Sequence, residues 1–157
     1  MIPGIKATIV GVKNLKKKVD EVAKAAEKSQ WDALVATGLM IHKDAVMSVQ
    51  RGPKTGSISQ RGSKGTHQAS APGEAPASDT GNLAKNIRFK PDKASKSVSI
   101  IAKTPYAGHL EFGTRGDPKR NIPPLAPRPF MGPAFNKNRA MAEKLLRLKW
   151  KENKPKE

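Results

Sequence analysis

Several kinds of residue and pattern are scarce in this 157-residue chain. It has no cysteine, and aromatic residues make up only 4% of it. Without cysteine it can form neither a disulfide nor a cysteine metal site, which agrees with synthesis inside a cell. No run of 18 or more apolar residues occurs, so no membrane span is predicted. The first residues, MIPGIKATIVGV, lack the charged, apolar and cleavage regions of a secretory signal, so export by that route is not expected.

Acidic residues are also scarce. Thirty Lys and Arg stand against thirteen Asp and Glu, which gives a formal net charge of +17. Such an excess favours contact with polyanions or with an acidic protein surface. Because the charge is spread along the whole chain, a single DNA-reading patch is not predicted. A solvated basic surface is the alternative interpretation.

The length and the apolar content together predict one domain with a modest core. The chain is 36% hydrophobic and 27% charged, and 157 residues suit a single domain. We therefore treat residues 1–157 as one domain. Residues 51–78 are expected to form an inserted arm, and residues 151–157 a frayed charged tail.

The N-terminal third predicts a strand followed by a long helix. Residues 5–12 (IKATIVGV) are rich in β-branched side chains, and Asn14 suits a helix N-cap. Residues 15–50 carry apolar side chains at helical spacing, and Gly38 is a candidate bend. A helix of about 55 Å cannot be buried by a small sheet alone. We therefore expect part of it to pack on a neighbouring subunit.

Residues 51–78 change character, because Gly, Ser, Pro, Thr and Ala dominate and only one large hydrophobe is present. This composition predicts a flexible arm without a core of its own. A loop of this length in a small domain is usually functional or disordered. Its basic residues could contact phosphates, although a plain linker is the alternative; they are Arg51, Lys54, Arg61 and Lys64.

The second half predicts a small antiparallel sheet and two helices. Residues 87–90 and 97–103 read as a hairpin, with Val98, Ile100 and Ala102 on its buried face. Residues 106–112 read as a short helix that ends at Gly113, and Pro133 suits the opening of a last helix. The predicted fold class is α+β, with a long N-terminal helix packed on a small, mainly antiparallel sheet.

No catalytic or metal-binding arrangement is visible in the sequence. The three histidines form no metal-spaced pair, and His109 and Glu111 are two residues apart, which places them on different faces of a helix. Residues 62–66 (GSKGT) lack the spacing and flanking elements of a phosphate loop. We therefore expect a protein that is not an enzyme, without metal or cofactor.

The segment 104–135 gathers most of the aromatic residues and many of the prolines. Its rings are candidate core residues, namely Tyr106, Phe112, Phe130 and Phe135. Its cations on a proline-stiffened loop are candidates for a subunit contact, since preformed loops lose less entropy on binding; they are Arg115, Lys119, Arg120 and Arg128. Both interpretations hold if the rings anchor the loop and the cations contact a partner.

Three motifs in this order resemble the tail-component family of long-tailed bacteriophages, which includes neck and tail-completion proteins. They are DTGNL at 79–83, YAGHLEFGT at 106–114 and RPFMGPA at 128–134. Each motif alone is weak, and their order is more specific. The resemblance covers about residues 14–145, and the arm at 51–78 is longer and more basic than the family pattern.

The resemblance implies a virion protein that completes the neck or tail at the head–tail junction, assembled in the host cytoplasm. It implies a ring, expected to be a hexamer, around the DNA channel, with heterologous contacts between subunits. The implied partners are the head-completion or stopper protein and the tail terminator or tail tube, with nonspecific contact to phage DNA. The alternative function is a basic nonspecific nucleic-acid-binding protein.

The resemblance also assigns fold and ring-assembly roles to its signature positions. Gly113 is expected to adopt a left-handed conformation, and Glu111 is expected to pair with Arg128. The signature positions and their neighbour at 115 are Tyr106, Glu111, Phe112, Gly113, Thr114, Arg115, Arg128, Pro129, Phe130 and Met131. Lys119 and Arg120 join the arm residues as possible contacts to DNA or to a partner.

Overall fold

The computed structural model of the chain describes residues 12–60 and 65–155. The strand predicted at residues 5–12 lies outside the described residues except for Val12, which begins the first helix. Among the described residues, no helix has the length and apolar character needed to cross a membrane.

The first helix, α1, spans Val12–Arg51 and confirms the long helix predicted there. Its 40 residues extend over about 60 Å at 1.5 Å per residue. Asn14 lies inside the helix, so its prediction as the N-cap is wrong. The helix also continues through Gly38, where a side chain would collide with the hairpin: an added Cβ would overlap Val98 and lie 2.9 Å from Phe89. Gly38 therefore permits close packing.

In the part of the chain that the structure describes, two separate antiparallel hairpins supply the strands. The first pairs β1 (Ile58–Gln60) with β2 (Thr66–Gln68). The second pairs β3 (Ile87–Asp92) with β4 (Ser97–Ala102), in a register that places Ile87 opposite Ala102. In β4 the half-buried side chains alternate with exposed ones, as the sequence predicted. The second hairpin packs against α1.

The remaining elements are helical. Helix α2 spans Asn82–Lys85 and α3 spans Ala107–Phe112. A 3-10 turn covers Pro118–Arg120. The last helix, α4, spans Met131–Asn153, and Pro133 lies in its first turn.

The core lies where α1, α2, the β3–β4 hairpin, α3 and the start of α4 meet. Its buried members are small or aliphatic apart from one ring, and Ala45 and Phe130 are almost completely enclosed. The cluster consists of Ile41, Ala45, Val49, Leu83, Ala84, Ile87, Ala107, Phe130 and Ala134. The α+β prediction, with a long helix packed on small antiparallel sheets, is confirmed.

Helix α4 runs antiparallel to α1 and touches it through small and polar residues. Ser29 donates a hydrogen bond to the carbonyl of Lys149 at 3.1 Å, and its exposure is only 1%. Lys28 and Asp32 both contact Asn153, at the end of α4. Because α4 ends at this level, the part of α1 that precedes residue 28 extends beyond it.

The predicted arm at 51–78 has more structure than its composition indicated. Besides the β1–β2 hairpin, Ser70 is buried and Ala75 packs against the core. Glu74 accepts hydrogen bonds from the backbone N–H groups of Thr55, at 3.2 Å, and Ala71, at 2.8 Å. One carboxylate thus joins the two sides of the segment.

Candidate functional site

The Glu111 carboxylate caps the last helix. It accepts hydrogen bonds from the backbone N–H groups of Phe130 (2.9 Å), Met131 (3.0 Å) and Gly132 (2.8 Å). These donors have no partner within the helix, and a negative charge at a helix N-terminus is favourable. The YAGHLEFGT and RPFMGPA motifs are therefore two halves of one capping arrangement.

Gly113 turns the chain immediately after α3. Its φ is 73° and its ψ −178°, a combination open essentially to glycine alone. An added Cβ would lie 2.5 Å from the carbonyl oxygen of Leu125. The prediction of a left-handed φ at this position is confirmed, and the reason is the close approach of the strand-like segment at Leu125.

The two sides of the loop between Thr114 and Leu125 are joined by antiparallel backbone hydrogen bonds. The backbones of Thr114 and Leu125 exchange hydrogen bonds of 2.8 and 3.0 Å, and those of Asp117 and Ile122 exchange bonds of 2.8 and 2.9 Å. The Asp117 side chain also accepts from the N–H of Lys119 at 3.0 Å. These pairs give the loop a defined shape. Its exposed cations are Arg115, next to the Thr114–Leu125 pair, and Lys119 and Arg120, at the tip beyond the Asp117–Ile122 pair.

Arg128 anchors the arm to the body of the protein. Its Nε donates a hydrogen bond to the carbonyl of Ser70 at 3.2 Å. A second hydrogen bond joins the same two segments, from the N–H of Gly73 to the carbonyl of Pro127 at 2.9 Å. Glu111 is already used by the start of α4, and no ion pair joins it to Arg128 among the described residues. The predicted Glu111–Arg128 pair is therefore wrong within the chain.

The aromatic rings of the segment divide between core and surface. Phe130 is 1% exposed and confirms its predicted core position, whereas Phe112 is 82% exposed. The core prediction for Phe112 is wrong because α3 turns this position away from the body of the protein. Tyr106 and Phe135 are 41% and 54% exposed, so their predicted core positions are wrong as well. The Tyr106 hydroxyl accepts a hydrogen bond from Asn82 at 3.2 Å.

An apolar groove lies beside these exposed rings. It has a volume of about 770 Å³ and runs between α1, β4, α3 and α4. Ile41 and Val98 contribute to its lining, and Phe112 and Phe135 stand beside it as exposed rings. A large apolar surface of this kind on a small protein indicates a place where another molecule packs.

A second apolar surface, which none of the described residues covers, lies near the N-terminal end of α1. Leu15, Val19 and Val22 are exposed by 65%, 57% and 46%. Their spacing of four and three residues continues through Ala26 to Ser29 and Ala33, both buried. All six positions therefore lie on one face of the helix. Helix α4 covers this face at Ser29. Residues 13–24 of the same helix are all exposed, so the face is uncovered there.

Several apolar side chains of the last helix do not face the protein body. Phe135, Met141 and Leu148 are exposed and Leu145 is half-buried, while Ala134 and Asn138 are buried. Asn138 donates to Asp44 at 2.7 Å and to the Ala134 carbonyl at 2.9 Å. The hydrogen bond from Asn138 holds the pKa of the Asp44 carboxyl below its ordinary value, with Lys137 adding to the effect. A polar buried contact was not foreseen from the apolar pattern.

The remaining candidate contacts are scattered. Arg51 and Lys54 are exposed near the end of α1, and Arg61 and Lys64 lie outside the described residues. Arg51 ends α1, Lys54 lies in the arm and the loop cations lie within residues 114–125, so these described candidates belong to three separate elements. Among the described residues, no group of three or more His, Asp and Glu side chains is placed to hold a metal ion.

Comparison of the chain with protein-family models, with curated proteins and with solved structures finds no match. The functional interpretation therefore depends on the geometry described above and on the motif resemblance.

Proposed function

We propose that this protein is a structural subunit of a tailed bacteriophage, acting at the head–tail junction as part of a ring around the DNA channel. The observation that carries the proposal is the bare apolar face of α1 at Leu15, Val19 and Val22. It continues a face that α4 covers further along the same helix. A helix with such a face is stabilised when another helix or subunit covers it.

The positions of the two bare surfaces support a ring. The apolar stretch of α1 and the groove beside Phe112 lie at different levels of one continuous helix. Val22 and Leu34, which lines the groove, are about 18 Å apart at 1.5 Å per residue. The two surfaces of one chain therefore do not meet each other. Joining the first surface of one subunit to the second surface of the next gives a heterologous contact, which closes into a ring when the rotation allows.

The capping arrangement supports the same role. Glu111 fixes α3 against the start of α4, and Gly113 directs the paired loop 114–125 away from the core. The order of the DTGNL, YAGHLEFGT and RPFMGPA motifs resembles that of neck and tail-completion proteins. In this chain the last two of these motifs hold the loop and α4 in a fixed arrangement. A preformed loop costs little entropy to dock.

Labelling of purified particles tests this proposal. An antibody or a gold-tagged version of the protein is expected to mark the head–tail junction of intact virions in electron micrographs. A label that is absent from virions and follows the DNA of the infected cell contradicts it. That result would favour the second candidate, a basic nonspecific nucleic-acid-binding protein, which the net charge of +17 supports.

A further inference from the structure

We propose that the solvent face of α4 contacts the sugar–phosphate backbone of duplex DNA. Three cations occupy this face at spacings of three and four residues, which aligns them along one side of the helix, and a fourth follows directly after the helix ends. They are Lys144, Arg147, Lys151 and Lys154, and we call them the α4 cation stripe. Its helical part, from Lys144 to Lys151, covers about 10 Å at 1.5 Å per residue.

The stripe is directed away from the protein body. All four side chains are exposed, while the residues of α4 that face α1 lie on the opposite side, at Ala134, Asn138 and Lys149. No carboxylate of the described residues lies within 4.0 Å of a stripe cation. Nearby cations do have such partners: Lys137 contacts Asp44 and Lys149 contacts Glu152.

An alignment of like charges costs helix stability in the free protein. Like charges three or four residues apart repel each other along a helix. The helix dipole favours cations in the last turn, which accounts for Lys151 and the following Lys154. It does not account for Lys144 and Arg147, which lie further from the end. A polyanion would relieve the repulsion along the whole stripe.

The chemistry of the stripe favours DNA over an acidic protein. Protein interfaces are anchored by apolar or aromatic side chains at their centre. The same line of α4, followed toward its start, carries Ala140, Lys137 and Pro133. The exposed apolar side chains of Met141 and Leu148 lie on the flank of the stripe, so its centre is charged and not apolar. Binding by release of condensed counterions requires only aligned cations.

The basic part of α1 provides the contrast. Lys13, Lys16 and Lys17 are exposed there, but Asp20 and Glu21 follow within the same short stretch. Within α4 the stripe has one carboxylate at a spacing of three or four residues, Glu143 four residues before Arg147, and none beside Lys151. The inference rests on the proposed function, because the DNA concerned is the DNA that passes through the neck ring.

Salt-dependent binding to a fluorescent 20-base-pair duplex tests the inference with the isolated full chain. The test variant is Lys144→Gln, Arg147→Gln and Lys151→Gln together. The matched control is Lys13→Gln, Lys16→Gln and Lys17→Gln, which removes the same charge. Since each lost phosphate contact lowers the slope of log K against log salt by about 0.9, we expect the test variant to lose about 2.7 and the control less than about 1. Both variants should unfold at or slightly above the wild-type temperature, because the substituted side chains are exposed and their mutual repulsion is removed.

Three results would overturn the inference: an equal fall of the slope in both variants, no change in the stripe variant, or no salt-dependent binding by the wild type. A further measurement uses polyglutamate as a competitor of the duplex. If polyglutamate binds the wild-type chain more tightly than the duplex does, and binds the stripe variant less tightly than the wild type, the stripe is a site for an acidic protein instead. Because the assay uses the isolated chain, it can fail while labelling still places the protein at the neck.

Discussion

The carboxylate of Glu111 accepts a hydrogen bond of 2.9 Å from the backbone N–H of Phe130, whose ring is buried in the core. Two further backbone N–H groups of α4 donate to the same carboxylate. This contact joins segments that are 19 residues apart in the chain. It fixes α4, and with it the paired loop that leaves α3 at Gly113, relative to the core.

Removal of this cap should destabilise the protein. Glu111→Ala leaves the first N–H groups of α4 without their acceptor, and we expect the free energy of unfolding to fall by about 2 kcal/mol. Urea denaturation followed by circular dichroism measures the change. The control, Glu143→Ala, removes an exposed carboxylate from the middle of the same helix and should change stability by less than about 0.5 kcal/mol. Equal losses in both variants would contradict the capping role.

Gly38 and Gly108 form a matched pair of helical glycines. Gly38→Ala should destabilise the protein by about 1–3 kcal/mol, because the added methyl group collides with Val98 and Phe89. Gly108→Ala places a methyl group in open space within α3 and should stabilise by up to about 1 kcal/mol through helix propensity. Thermal unfolding of both variants checks the prediction. A stabilised Gly38→Ala would mean that the hairpin packs less closely on α1.

Asp44 and Asn138 should give an acid-sensitive contribution to stability. The Asp44 pKa is lowered in the folded protein, mainly by the hydrogen bond from Asn138. A lowered folded pKa stabilises above the unfolded pKa, near 3.9, and this stability is lost as the pH falls from there through the folded pKa. Chemical denaturation between pH 6 and pH 2 should therefore show a shallower acid decline for Asp44→Asn than for the wild type. Parallel curves would contradict this assignment.

Exposed apolar side chains should control self-association without affecting the fold. Phe112→Ser and Val19→Ser change residues that are exposed in the single chain, so their unfolding temperatures should match the wild type. Mass photometry at increasing concentration should show closed oligomers for the wild type and a shift towards monomer for both variants. Ile58→Ser, at an equally exposed position in β1, serves as the control and should assemble normally. Variants that assemble like the wild type would exclude these surfaces as subunit contacts.

The sequence predicted the long helix, the second hairpin and the turn at Gly113 because their signals are local. Helical spacing along α1, alternation in β4 and a glycine after a short helix each depend on near neighbours. The helical spacing of Leu15, Val19 and Val22 was also visible in the sequence, although the point where α4 stops covering that side of α1 was not.

Other features depend on contacts between distant residues and could not be read from local patterns. Glu111 was expected to pair with Arg128, but the backbone N–H groups at the start of α4 are its partners and no sequence period marks them. Phe112 was expected inside because it is aromatic, whereas the direction of α3 places it outside. Asn138 is buried although it is polar, because Asp44 supplies its hydrogen-bond partner.

Electron microscopy of particles produced by a phage that lacks this gene tests the central claim most directly. If the protein is a neck subunit, the preparation should contain heads and tails that are not joined, and expression of the protein in trans should restore joined, infectious virions. Complete and infectious virions formed in its absence would contradict the proposal that it connects head and tail.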